Sequence, residues 1–291
     1  MRYIPILSFL LVALQVQCQD ETNYGKLTYV STLPELLREN SGMETIENSD
    51  LTYIINDSKG ASSVFGVRAS TGKIVQEIDI KNYGNRDWED LTSRGNDLFI
   101  GDFGNNGNLR KNLVIYWISN VDEMDKEKVS AFAKAIPFTL EDQKKFPPKK
   151  KDRNYDIEAF FVKGDHLYLF TRNRSSDFDG TTNCYKLPIA EGAQVAKKIG
   201  SFKTCDDSSD CQVTSADYDP KSGKMVLLTY DKVFLFSDFE EDDFFNGKSD
   251  KIKLDYASQK ESVYFKNAKT LIIGEESRKG AGGNIYSLKI D

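Results

Sequence analysis

The residues Asp87-Trp88-Glu89-Asp90-Leu91, in the stretch "DWEDLTSRGNDLFIGDFGNNGN", set three carboxylates beside an apolar run and a loop rich in glycine and asparagine. Carboxylates crowded this way raise one another's pKa unless a cation or an arginine neutralises them. Similar acids recur: Asp156 and Glu158 in "DIEAFF", Asp217 in "SADYD" and Glu261 in "KESVYF". Such groups could hold calcium, which takes roughly six to eight oxygen ligands. As pairs about 5–10 Å apart they could also act as acid and base on a glycosidic bond. Other chemistries find little support. The single histidine, His166, sits in the turn "KGDHLYL", and G-x-S-x-G, H-E-x-x-H, P-loop and paired C-x-x-C motifs are absent.

The elements that position these acids come from internal repetition. "EDLTSRGNDLFIGDFG", "EAFFVKGDHLYLFTR", "SADYDPKSGKMVLLTYD" and "ESVYFKNAKTLIIGEES" share one pattern, and "SGMETIENSDLTYIINDS" is a further copy lacking the leading acid. Each reads as a short strand, a Gly/Asn/Asp turn and an apolar strand ending in polar residues, hence a hairpin. Two more strand-like runs follow each copy except the last, which has only "NIYSLKI"; the missing strand is available in "KLTYVST", Lys26 to Thr32. Four-stranded units around a ring, one closed by the opposite terminus, describe an all-β propeller, with five blades expected and six as the alternative. Residues 119–154 read as an insertion, "VDEMDKEKVSAFAKA" being helix-compatible and "EDQKKFPPKKKDR" a loop.

In such a ring the first strand of each unit lines the channel and starts where the second strand ends. The first-strand acids Glu89, Glu158, Asp217 and Glu261, with Asp87, Asp90 and Asp156 adjacent, should share a rim with Asp57, Asp102, Asp231 and Glu275 or Glu276. The expected metal ligands are Asp57, Glu89, Asp90, Asp102, Glu158, Asp217 and Glu261, with calcium as the ion. Glu89, Glu158, Asp217 and Glu261 are the catalytic candidates, and "GDFGNNGN" (Gly101 to Asn108) resembles a loose cation loop without EF-hand spacing. Arg86, Arg110, Arg153, Arg172 and Arg174 could pair the acids. Trp88, Arg86, Arg110 and Arg172 form the expected ligand-binding set, with Trp88 and Tyr155 either stacking on a sugar or packing between units.

The 291 residues are 39% hydrophobic and 29% charged with a net charge of −6, which suits a globular domain and not a nucleic-acid-binding surface. The one basic run, "KKFPPKKKDR" (Lys144 to Arg153), is either a docking loop for an acidic partner or a solvated loop. Residues 1–18 read as a secretory signal: Met1-Arg2, the apolar run "YIPILSFLLVAL", then small residues before Gln19. Alternatively Cys18 is the lipidated start of a lipoprotein. The run is too short to span a membrane, and residues 19–291 form the expected single domain, a monomer. Of Cys184, Cys205 and Cys211, the last two close a short loop and are the first choice for a disulfide, with Cys184 to either as the alternative. Asn56 and Asn173 head glycosylation sequons.

The motifs "ENSGM", "IINDS", "DWEDLT", "IGDFGNN", "DIEAFF", "LYLFTRN" and "VTSADYD", in order over nearly the whole mature chain, resemble a family of secreted Bacteroidetes-type β-propeller proteins. That resemblance implies the fold and export and no chemistry. A five-bladed ring with an acidic mouth is also similar, in fold only, to calcium-dependent nucleotidases and furanose-cleaving glycosidases. The expected role is binding of an extracellular glycan, small molecule or protein at a calcium-bearing mouth; the alternative is a metal-assisted hydrolase of glycans or phosphoesters.

Overall fold

The computed structural model describes residues 23–58, 60–278 and 280–290. The expected signal sequence, Cys18 and Gln19 lie outside the described residues. Strands and short 3-10 turns account for the regular structure of the described residues, with no α-helix among them. The repeats become hairpins as their spacing predicts. The turns between first and second strands carry Gly95, Gly164 and Gly223 at φ of 61°, 61° and 69°, a left-handed conformation that glycine adopts without strain.

The strands assort into four-stranded antiparallel units. One sheet holds Asn40–Glu44, Thr52–Asn56, Ser63–Arg68 and Lys73–Ile80, and another holds Ser215–Asp219, Lys224–Leu228, Lys232–Ser237 and Lys248–Lys253. An eight-stranded sheet consists of two such units, opening with Trp88–Arg94 and Asp156–Lys163, joined where Phe138–Leu140 runs parallel to Gln194–Ala196. The last unit, Lys260–Asn267, Thr270–Glu275 and Asn284–Lys289, takes its outer strand from the other end of the chain. Thr28–Thr32 pairs antiparallel with Asn284–Lys289, as "KLTYVST" predicts. The first strands pack in a cycle: Asn40–Glu44 on Trp88–Arg94, then Asp156–Lys163, Ser215–Asp219, Lys260–Asn267 and back to Asn40–Glu44.

Apolar clusters fill the gaps between successive units. Ile55, Val64 and Ile78 meet Trp88, Leu91 and Tyr116 in one gap. Phe103 and Ile115 meet Phe160 and Leu169 in the next, and Phe161 and Phe170 meet Leu227 and Phe236 in the one after. Full burial of each such side chain contributes about 1.5–3 kcal/mol, so the ring is held by its inter-unit faces.

The helix-compatible stretch 121–135 forms no α-helix. Val121–Glu123 is a single 3-10 turn, Lys128–Ala131 adds to Lys73–Ile80 as a parallel fifth strand, and Lys134–Leu140 completes the second unit. Val129 and Ala131 pack with Ile78 and Ile80, and the exposed sheet edge offers backbone partners that outweigh local helix propensity. Cys205 and Cys211 form the expected disulfide, and Cys184 is a buried free thiol.

Candidate functional site

A recurring irregularity builds the channel mouth. In four first strands the pairing register slips at the same place: between Asn40 and Gly42, Trp88 and Asp90, Ile157 and Ala159, and Lys260 and Ser262. An extra residue in a strand is left unpaired and its side chain is re-aimed. The extra residues are Ser41, Glu89, Glu158 and Glu261, and all of them line one cavity of about 190 Å³. Asp57, Glu276, Arg172 and Tyr230, from the ends of second strands, share its wall with Arg174 and Asn106.

The Ser215–Asp219 strand pairs with Lys224–Leu228 without a slip. This displaces Asp217 from the position that its motif predicts. Ser215 Oγ accepts from Val263 N at 3.1 Å, as Asp90 Oδ2 accepts from Phe160 N at 3.1 Å, so these two residues correspond. Asp217 Oδ2 accepts from Phe265 N at 2.6 Å, as Thr92 Oγ1 does from Val162 N at 3.3 Å. Each first strand is an edge strand, and these side chains satisfy the N–H groups of its neighbour. Asp90 and Asp217 are therefore structural acids below the mouth and not cation ligands.

Burial pushes the Asp217 carboxyl up to about 6 against the hydrogen bonds from Phe265 and Tyr218. Below about pH 4 both folded and unfolded states carry its proton. Between about 4 and 6 only the folded state does, so this contribution to stability falls as pH rises. Asp217→Asn keeps an acceptor for Phe265 N and removes the titration. Its stability relative to the parent should gain up to about 2–3 kcal/mol between pH 4 and 7. Urea unfolding at both pH values measures this, and a pH-independent difference would contradict the placement.

The mouth has two unlike halves. On one side Arg172 Nη1 lies 3.1 Å from Glu158 Oε2 and 3.8 Å from Glu261 Oε2. Its Nη2 donates to the Tyr230 hydroxyl at 2.8 Å, and that hydroxyl donates to Glu261 Oε1 at 2.9 Å. Arg174 reaches Asp156 at 2.5 Å and Glu158 Oε1 at 2.7 Å. Burial pushes Glu158 up, but Arg172 and Arg174 outweigh it and hold the carboxyl below its usual range. Burial lifts Glu261 to about 7, with Arg172 opposing.

The other half has no such cations. Oxygens of Asp57, Asp87 and Glu89 lie within 4.8 Å of one another. Glu89 is only 8% exposed, and among the described residues its carboxylate has no hydrogen bond or ion pair. Burial, followed by Glu158, Asp57, Asp156 and Asp87, pushes it well above the carboxylate range. Burial and Asp57 push Asp87 up to about 6, with the Arg110 guanidinium 3.9 Å away opposing. Asn40 Oδ1, also in the wall and fully buried, has no donor. This half offers several oxygen acceptors and one distant cation, Arg110, whose guanidinium is 3.9 Å from Asp87 Oδ2 and is turned on Asp102: it can hold a hard divalent ion.

Gly104 makes room for it, since a Cβ there would stand 1.9 Å from Glu89 Oε1 and 2.5 Å from Asp87 Oδ2. If the triad holds a divalent ion, Gly104→Ala lowers its affinity about tenfold to a hundredfold, as displaced ligands do. Calorimetric titration reads this directly, and unchanged affinity would remove Glu89 and Asp87 from the site.

Other expected site residues are engaged elsewhere. Asp102 is buried and bonded to Arg110 Nη2 at 2.8 Å, and Arg110 also donates to Gly104 O at 2.8 Å. Arg110 thus clamps the Gly101–Asn108 loop. That loop is sealed upon itself: Asn105 Oδ1 accepts from Arg110 N, and Asn108 Oδ1 accepts from Tyr155 N. It is no cation loop, although Asn106 faces the mouth. Trp88 is fully buried against Tyr116, and Tyr155 is half-buried in the inter-unit core, so neither is a stacking platform at the mouth. Arg86 is exposed and does not line the cavity. Asp231 pairs with Lys232, and Glu275 accepts from Tyr286 Oη at 2.7 Å. The sequon residues Asn56 and Asn173 are buried with their amide groups bonded to Leu36 O and to Asp179, positions closed to a glycan.

No protein-family model matches the chain, and no curated protein matches it. Among solved structures, the chain is similar to the PQQ-bound aldose sugar dehydrogenase of Streptomyces coelicolor, with TM-score 0.51 and 10% identity over 92% of this chain and 98% of that one. It also shows a looser likeness to hydrazine synthase of Kuenenia stuttgartiensis, with TM-score 0.41 and 11% identity over 81% of this chain. The chain spans 61% of that hydrazine synthase chain's length. The first likeness concerns fold alone; with the cyclic packing of first strands, it identifies a β-propeller fold.

Proposed function

We propose that the protein is a secreted or cell-surface propeller of five blades that binds calcium at its channel mouth and, around the ion, an extracellular glycan, small molecule or protein. The cyclic order of the first strands supports that number of blades. The Cys205–Cys211 disulfide supports an oxidising compartment. No helix among the described residues is long and apolar enough to cross a membrane.

One observation carries the cation reading: the Asp57, Asp87 and Glu89 oxygens converge within 4.8 Å, while Glu89, only 8% exposed, has no hydrogen bond or ion pair among the described residues. Calcium suits such a site because it accepts irregular oxygen cages, and extracellular modules function with Kd of roughly 10⁻⁴–10⁻³ M. Thermal unfolding with excess calcium and with chelator tests the reading. A calcium-dependent rise of several degrees is expected; coincident curves would overturn it.

A second reading, metal-assisted hydrolysis of glycans or phosphoesters, draws on Glu261. With its carboxyl lifted to about 7, it is matched to proton transfer near neutral pH in the cavity that Asp57 and Glu89 also line. Glu261→Gln should then abolish turnover of an active substrate while calcium binding persists.

A further inference from the structure

The strip from Lys144 to Arg153 is basic, exposed and held in place. Asp152 N donates to Lys149 O at 2.8 Å, and Ser176 N donates to Lys150 O at 3.1 Å. Ser175 Oγ donates to Lys151 O at 2.5 Å, and Arg174 N donates to Arg153 O at 3.0 Å. These bonds fix the backbone of residues 149–153, where Lys149, Lys150 and Lys151 stay exposed; Lys144 and Lys145 are exposed ahead of it, with Lys144 Nζ donating to Glu141 O at 2.5 Å. Lys111 adds a further ammonium, 5.2 Å above the Phe146 ring.

None of these lysines forms an ion pair among the described residues. Elsewhere Lys81, Lys128, Lys134, Lys186 and Lys197 each pair with an acid, while others such as Lys251 and Lys253 form no ion pair among the described residues but lie outside a basic run. Arg153 Nε is buried without a partner in the same strip. Fixing like charges side by side is unfavourable unless an outside anion compensates them. In a chain of net charge −6, this segment stands apart.

We propose that this strip is a docking site for a polyanionic glycan bearing sulfate or carboxylate groups. Lysine ammoniums on a fixed backbone suit the repeated point charges of such a chain. Bound single-stranded nucleic acid would call for exposed aromatic platforms, and Phe146 is half-buried under Lys111. A bilayer would call for an apolar anchor, and beside the strip Leu109 alone, 58% exposed, could supply one. The strip also adjoins the mouth: Gln143 Nε2 and Tyr155 N bind Asn108, in the loop that presents Asn106 to the cavity.

The test titrates heparin, polygalacturonate and neutral dextran against the protein in chelator, so that the cation site plays no part. The two polyanions separate sulfate from carboxylate recognition. At least one should bind, dextran should not, and affinity should fall about tenfold or more between 50 and 200 mM salt. Lys149→Glu/Lys150→Glu/Lys151→Glu should lose most of the binding. Lys248→Glu/Lys251→Glu/Lys253→Glu, an equal charge change on the exposed outer strand Lys248–Lys253, should keep it. If the first variant unfolds, the corresponding triple glutamine variant replaces it. Overturning results are no polyanion binding at low salt, equal loss in both variants, or tighter binding to duplex DNA or phosphatidylserine vesicles than to either glycan.

Discussion

Replacing Arg172 by alanine is expected to lower unfolding stability by about 3–5 kcal/mol at neutral pH, because it leaves buried Glu261 without an arginine and Glu158 with Arg174 alone. Arg172 is 9% exposed and binds Glu158 at 3.1 Å, Tyr230 at 2.8 Å and Gln212 at 2.9 Å. Its loss frees Glu158 to follow its burial, so that carboxyl rises and the variant holds a proton which its unfolded chain releases. Stability of the variant then falls as pH rises, and the gap to the parent widens from about pH 4.5 to 7.5. Urea unfolding at the two pH values measures it. An equal gap at both would make Arg172 a packing residue, whose loss removes area and not charge balance. Arg172→Lys should recover part of the loss, since it restores charge but not the fork.

Glu89→Gln is expected to act in opposite directions with and without calcium. In chelator it removes a carboxyl that burial and the neighbouring Glu158, Asp57, Asp156 and Asp87 force to take up a proton on folding, so at neutral pH the variant should be more stable than the parent by about 1–2 kcal/mol. With calcium at about a hundredfold excess over Kd, the parent gains about 2.7 kcal/mol by linkage, and a variant lacking a ligand forfeits most of that. The stability order should therefore invert. Thermal unfolding of both proteins in both buffers reads the inversion. A variant less stable than the parent in chelator would mean that Glu89 makes a favourable native interaction and not a vacant ligand.

The repeat pattern carried much of the architecture, because a hairpin that alternates apolar and polar residues around a glycine turn has few other uses. Thr28–Thr32 was legible as the closing strand from the missing partner of Asn284–Lys289. The mouth acids Glu89, Glu158 and Glu261 were legible for the same reason, each opening a first strand. What the residues do not display is the bulge. Four first strands slip by one residue and turn Ser41, Glu89, Glu158 and Glu261 into the channel, while the Ser215–Asp219 strand does not. Asp217 resembles the others by spacing from its apolar run, yet it corresponds to Thr92.

Asp102 and Arg110 show a related effect. Both lie close to the acids in sequence, but their side chains turn on one another to close the Gly101–Asn108 loop. The division of the mouth into an arginine-compensated half and an uncompensated one depends on which arginines reach inward, a property of three-dimensional packing. Pairing with the outer edge of Lys73–Ile80 likewise decided the fate of Lys128–Ala131.

The most direct test is a crystal structure of the protein grown with calcium, with the ion located by its anomalous scattering. An ion bonded to Asp57, Asp87 and Glu89 oxygens at about 2.3–2.6 Å is the expected result. Water alone between these carboxylates at saturating calcium, or an ion bound only elsewhere, would contradict a cation-binding mouth.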